Sequence, residues 1–146
     1  MVTTDKIDDN DRKIIKILSS NARTSLRDIK KKVDLSPSSI RNRMERLVSL
    51  GFIKRYTVDV DYRKLGYDIQ VIALITSKPS ESDALCKALS KFDEITEVLR
   101  TSGPANFICM VRVQNISELT KFITCDLEKL NGVERIETMF VLPHEE

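Results

Sequence analysis

The chain has 146 residues, 41% of them hydrophobic and 32% charged, which is room and apolar content for one ordinary domain or two small ones. Its longest apolar runs are five residues, at 71–75 and 107–111. A membrane-spanning helix needs about 20, and no apolar stretch follows the first six residues as a secretory signal requires.

Three cysteines without CxxC spacing argue against a disulfide framework or zinc site and for a reducing cytoplasm. The single histidine, His144, leaves no base for nucleophilic catalysis inside a fold, so neither an enzyme nor a cofactor is expected. The absence of tryptophan leaves little for stacking on single strands. The formal net charge of +2 hides a division. Residues 1–66 hold 16 Lys/Arg against 9 Asp/Glu, and residues 67–146 hold 8 against 13. A basic half joined to an acidic half points the first towards a polyanion.

In chain order, Asp8 or Asp9 caps a first helix carrying Ile14, Ile17 and Leu18 at helical spacing, and Asp11 suits its positive N-terminus. Ser25 and Asp28 resemble a capping box for a second helix, with Leu26, Ile29 and Val33 as its apolar stripe. Ser36-Pro37 starts a third, with Ile40, Met44, Leu47 and Val48 inward and Gly51 as the left-handed stop.

Two short helices joined by a tight turn, the second basic and rich in Ser and Asn, read as helix-turn-helix. Such a helix fits the major groove, where Arg reads guanine and Asn reads adenine, while flanking cations hold phosphates. The candidate DNA contacts are Ser36, Ser38, Ser39, Arg41, Asn42, Arg43 and Arg46, with Arg27, Lys30 and Lys31 from the second helix. The alternative is an ordinary solvated helix. Residues 52–60 then alternate as a strand, the wing of a winged variant, and residues 61–66 read as a linker.

The second half reads as strand (67–76), helix (stripe Leu85, Ala88, Leu89, Phe92), strand (95–101) and strand (106–113). A helix (stripe Ile116, Leu119, Ile123, Leu127, Leu130) and a strand (133–142) complete it. This βαββαβ order is ferredoxin-like. The predicted class is therefore α+β: a winged helix-turn-helix domain (1–60), a linker (61–66) and a ferredoxin-like domain (67–146). Its uncovered sheet face would be apolar and predicts association with another copy.

At this point the sequence resembles the Lrp/AsnC (feast/famine) family of prokaryotic transcription regulators. The resemblance runs from Ile7-Asp8, Asp11, Ile14 and Leu18 through 21–25, Leu26, Ile29, Val33, 35–36, Ile40, Arg43, Leu47, Gly51 and Ile53. It continues through Tyr56 and Gly66 to Gly132-Val133. It implies a sequence-specific regulator of double-stranded DNA, a homodimer assembling to tetramer or octamer, with an amino acid or other small molecule as effector.

The resemblance also implies that Arg43 holds a phosphate or buttresses its helix. The effector positions are Ser102, Gly103, Pro104, Ala105, Asn106 and, across an interface, Thr138. Two departures stand out. Asn106 replaces the acid of the family's Gly-x-x-Asp turn, which weakens the expected hold on an ammonium group. Asp34 stands where Gly is common, and Asp tolerates a left-handed backbone better than most residues. Two other readings compete: an architectural DNA-wrapping protein with little sequence choice, and an enzyme using Arg100 and Asn106.

Overall fold

The computed structural model describes residues 7–143, so His144 and residues 1–6 lie outside the described residues. Helix α1 (Asp9–Ser20) begins at Asp8, whose carboxylate accepts from the Asp11 N–H at 2.9 Å, while Asp11 accepts from the Asp8 N–H at 3.1 Å. This reciprocal pair satisfies two N–H groups that a helix start leaves orphaned. Helix α2 (Leu26–Lys30) is capped by Ser25, whose Oγ accepts from the Asp28 N–H and donates to the Asp28 carboxylate. Helix α3 (Pro37–Ser49) is capped by Ser36 and ends on Gly51 at φ +78°, a conformation that costs a residue with a Cβ about 1–2 kcal/mol. Ile14, Leu18, Ile29, Val33, Ile40 and Leu47 close a separate core among the three helices.

Two expectations in this half need correction. No residue other than glycine has a positive φ among the described residues, so Asp34 turns the chain without a left-handed backbone. Residues 52–60 form no ladder among the described residues. Their alternation does not track burial: Tyr56 and Val58 are 49% and 76% exposed. A strand needs partner groups for its amides, and here the Ile53 N–H turns back to the Leu47 carbonyl at 3.1 Å instead of joining a ladder.

The chain divides into two compact units, one ending at Asp59 and the other beginning at Val60. In the second, residues 61–66 hold a 3-10 turn (Arg63–Leu65) that closes on Gly66. The Arg112 guanidinium lies 4.0 Å from the centre of the Tyr62 ring. Strand β1 (Ile69–Ser77), helix α4 (Ser82–Leu89), β2 (Ile95–Arg100), β3 (Phe107–Val113), α5 (Ile116–Lys121) and β4 (Val133–Phe140) follow. The antiparallel sheet has the order β2-β3-β1-β4, as the ferredoxin-like reading requires.

Val71, Ala73 and Ile75 of β1 and Phe107, Cys109, Val111 and Val113 of β3 are buried on one face with Leu85, Leu89, Leu119, Phe122 and Leu127. The opposite face carries rows in register: Met139, Ile72 and Met110, then Glu137, Leu74, Ile108 and Leu99. Here Leu99 and Met139 are about half exposed.

The helix after β3 departs from its expected stripe. From Phe122–Leu127 it widens to π geometry, with the Glu128 N–H bonding the Ile123 carbonyl five residues back. The wider turn shifts the helix phase. Phe122 is thereby buried, and Ile116, predicted to face the core, is half exposed.

Candidate nucleic-acid interface

Helix α3 presents Ser38, Ser39, Asn42, Arg43 and Arg46 around a shallow depression of about 370 Å³. Pro37 and the Ser36 cap set its start. The Ser36 Oγ accepts from the Ser39 N–H at 3.2 Å and lies 3.1 Å from the Ser38 Oγ. Asn42 and Arg41 are exposed. The inward positions Ile40 and Leu47 fix which face looks out.

The two arginines in this row are tied to α1. Arg43 donates to Asp8 at 2.6 Å and to Asp11 at 2.9 Å, and Arg46 donates to Asp11 at 3.1 Å. The Asp11 side chain is only 1% exposed, against 26% for Arg43 and 49% for Arg46. Arg43 donates to two carboxylates at once, and those bonds, first to Asp8 and then to Asp11, hold its pKa above the ordinary value. The Arg43 guanidinium, then the Asp11 N–H, hold the Asp8 carboxyl below its ordinary 3.8. Arg43 thus stands as a strut between helices more than as a probe of bases.

A helix-dipole role alone does not account for the burial of Asp11. The missed signal was its spacing. Asp11, Ile14 and Leu18 fall at i, i+3 and i+7, so the buried stripe includes the acid.

On α2, Arg27 and Lys30 are exposed. Lys31 is bound to Asp28 at 2.7 Å, and this bond, then the one from Ser25, lowers the Asp28 pKa. The arrangement offers hydroxyl, amide and guanidinium groups along one helix face, the set that reads base edges and clasps phosphates.

In the second unit, a cleft of about 230 Å³ opens beside the turn after β2, lined among others by Gly103, Pro104, Ala105, Leu74, Arg135 and Glu137. Ser102 and Asn106 are not in that lining. The Asn106 Oδ1 accepts from the Ser77 N–H at 2.7 Å, so the oxygen expected to meet an ammonium group already completes the end of β1. Thr138 pairs with Ala73, which is buried under the helices. It lies on the face of the sheet opposite to the cleft, because cross-strand partners share a face. Arg135 and Glu137, an ion pair in the cleft wall, were not anticipated. Both alternate with Ile136 on β4, which is the only sequence signal for them.

The enzyme reading loses its pair. Arg100 donates to Asp83 at 2.7 Å and to the Ser82 Oγ at 3.3 Å, away from the bond that Asn106 makes. Among the described residues no cluster of three or more His, Cys, Asp or Glu is placed to hold a metal. No helix among them is long and apolar enough to cross a membrane.

Comparison with known proteins gives a consistent result. Residues 7–54 match the family described as winged helix-turn-helix DNA-binding, and residues 70–144 the one described as Lrp/AsnC ligand binding domain. The chain is 37% identical over 136 residues to the HTH-type transcriptional regulator FL11 of Pyrococcus furiosus, covering 93% of this chain and 89% of that one. The structure of AsnC from E. coli superposes with a TM-score of 0.82 at 29% identity, over 94% of this chain and 93% of that one. The Neisseria meningitidis regulator NMB0573, solved as a complex with L-Met, shares the fold at 19% identity, with a TM-score of 0.86 over 96% and 92%.

Proposed function

The chain belongs to the Lrp/AsnC family of transcription regulators, and from that premise we propose how its residues divide the work. It is a DNA-binding regulator, and α3 is its reading helix. The observation that carries this is the row Ser38, Ser39 and Asn42 on the outer face of α3, beside an Arg43 anchored to Asp8 and Asp11. Asn42 reads a base edge and Ser38 and Ser39 approach the groove. Arg43 fixes the tilt of the helix, and Arg46 shares its guanidinium between Asp11 and the DNA side. Arg27, Lys30, Lys31 and Arg41 contact phosphates. One such helix makes few contacts, so two act on half-sites about one DNA turn apart.

Pairing follows from the open sheet face. Ile72, Leu74, Ile108, Met110, Leu99 and Met139 form a contiguous apolar surface in register, and a second copy covers it, with tetramers or octamers built from such dimers. The regulator acts in the cytoplasm.

The cleft beside Gly103 is the effector site. A zwitterion needs a partner for each charge, and Arg135 and Glu137 supply both, while Asn106 keeps β1 in place. Selection of bound sites from a random duplex pool tests the reading helix: Asn42→Ala should broaden the selected motif at one base pair. An unchanged motif and affinity would put another surface in the groove. Calorimetry with the twenty amino acids tests the cleft, where heat of binding should vanish in Glu137→Gln.

A further inference from the structure

A second basic surface lies on the opposite side of α1 from the reading helix. Asp11, Ile14 and Leu18 of α1 face inward. At about 100° per residue, Lys13, Lys16 and Ser20 fall roughly half a turn round the helix from Asp11. There they meet Asn21, Thr24 and Lys32 around a depression of about 490 Å³ with no carboxylate in its lining. None of the three lysines makes an ion pair among the described residues, whereas the neighbouring Lys31 forms an exposed pair with Asp28. Asp9, on the same stripe one turn earlier, is exposed and makes no ion pair with Lys13.

Lys13 and Lys16 stand three residues apart on one face of α1, a like-charge pair that costs stability. Lys32 approaches from the turn after α2, its charge felt by Asp28 without an ion pair. Three such lysines gathered at one hollow fit a ligand that carries a row of negative charges. The Oδ1 of Asn21 accepts from the Arg23 N–H at 3.0 Å, which leaves its NH₂ to donate outwards. Ammonium and amide donors together match phosphate oxygens. Because the outer face of α3 adjoins Asp8 and Asp11, a duplex read by α3 would lie on that side of α1, away from this hollow.

We propose that Lys13, Lys16 and Lys32 form a second DNA-contact surface, which holds the phosphate backbone of a duplex segment other than the one read by α3. This rests on α3 being the reading helix. One chain then touches DNA on two sides, and a long duplex that returns past the protein gains contacts that a short one lacks.

The test uses the full-length chain with Lys13, Lys16 and Lys32 changed to Gln. These substitutions keep helix propensity, and thermal unfolding confirms an intact fold. Binding is measured over a salt series to a 25-base-pair duplex selected by the wild type, and to a 150-base-pair fragment carrying the same site. The expected result is an unchanged affinity for the short duplex and at least a tenfold loss on the long one. The log–log salt slope on the long fragment should fall by about 2–3, at roughly 0.9 per phosphate contact. Lys16→Glu alone should weaken only the long-fragment binding.

Equal losses on both duplexes would place the lysines in the primary footprint and overturn the proposal. Unchanged binding to both would overturn it too, and a changed oligomer size with unchanged binding would assign the hollow to a second copy instead. If the wild type selects no duplex at all, the reading-helix assignment fails first and takes this one with it, a result that no lysine variant can mimic.

Discussion

Asp11 and Arg43 meet across the contact between α1 and α3 at 2.9 Å, the carboxylate sealed from water and the guanidinium about a quarter exposed. A buried charge that loses its partner is expensive, whereas removing both partners together is often nearly neutral. Arg43→Met leaves Asp11 with Arg46 and the Asp8 N–H as partners, so it should destabilise the helix-turn-helix unit by about 1.5–3 kcal/mol, the range for a lost hydrogen bond to a charged group. Asp11→Leu combined with Arg43→Met should recover at least half of that. Urea unfolding of the three proteins checks it, and a cost below about 0.5 kcal/mol for Arg43→Met would show that the strut is idle.

Asn42 and Lys30 separate reading from holding. Asn42→Ala should cost ~1–3 kcal/mol of operator affinity and relax preference at one base pair. Lys30→Gln should weaken every duplex alike and flatten the salt slope by ~1. Fluorescence anisotropy on operator and scrambled duplexes distinguishes them.

Acid should loosen the same helix contact. Arg43, then the Asp11 N–H, hold Asp8 below its ordinary 3.8, so the unfolded chain takes up this proton at higher pH than the folded one. The stability that Asp8 contributes is complete above about pH 5 and is lost as pH falls through 3.8 and then the lower folded value. The melting-temperature gap between wild type and Asp8→Asn should stay constant from neutral pH to about pH 5, then shrink below it. A gap that widens on acidification would reverse the assigned sign.

The thiols should react in order of access. Burial, then the neighbouring Cys86, pushes the Cys109 thiol up to about 12, and the thiolate is the reactive form. Iodoacetamide at mildly alkaline pH should modify the exposed Cys125 first. Cys109 should resist until the chain is unfolded, as mass spectrometry of the peptides would reveal.

Gly132 has φ +92°, and a Cβ there would stand 2.4 Å from the Cβ of Glu81. Backbone strain alone costs about 1–3 kcal/mol, and the clash with a side-chain root adds to it. Gly132→Ala should thus cost at least about 2 kcal/mol in the second unit, read by chemical unfolding. A loss under about 0.5 kcal/mol would mean that the turn relaxes.

Capping and periodicity made most of the fold legible. Ser36-Pro37 and Gly51 bracket α3 as their chemistry dictates, and the apolar run at 107–111 falls inside β3, whose residues are buried and half-buried in turn. What stayed hidden depended on partners distant in sequence. The alternation of Tyr56 and Val58 looked like a strand, but no local pattern reveals whether a ladder partner exists. For Arg43 the resemblance leaves phosphate or buttress open, because nothing nearby in sequence announces two carboxylates more than thirty residues earlier. Asn106 looked like a ligand group because its contact with Ser77 crosses from one strand end to another.

The widened turn at Phe122–Leu127 that continues α5 has a residue to spare. Phe122 and Leu127 stand five positions apart yet share the buried face. If the exposed Thr124 were deleted, they would stand four apart, which is again one face of a regular helix. Both anchors would stay in the core, and the strands on either side would keep their spacing. Of all the segments that build this sheet-backed unit, this turn is therefore where a lineage can gain or lose one codon without re-threading the fold.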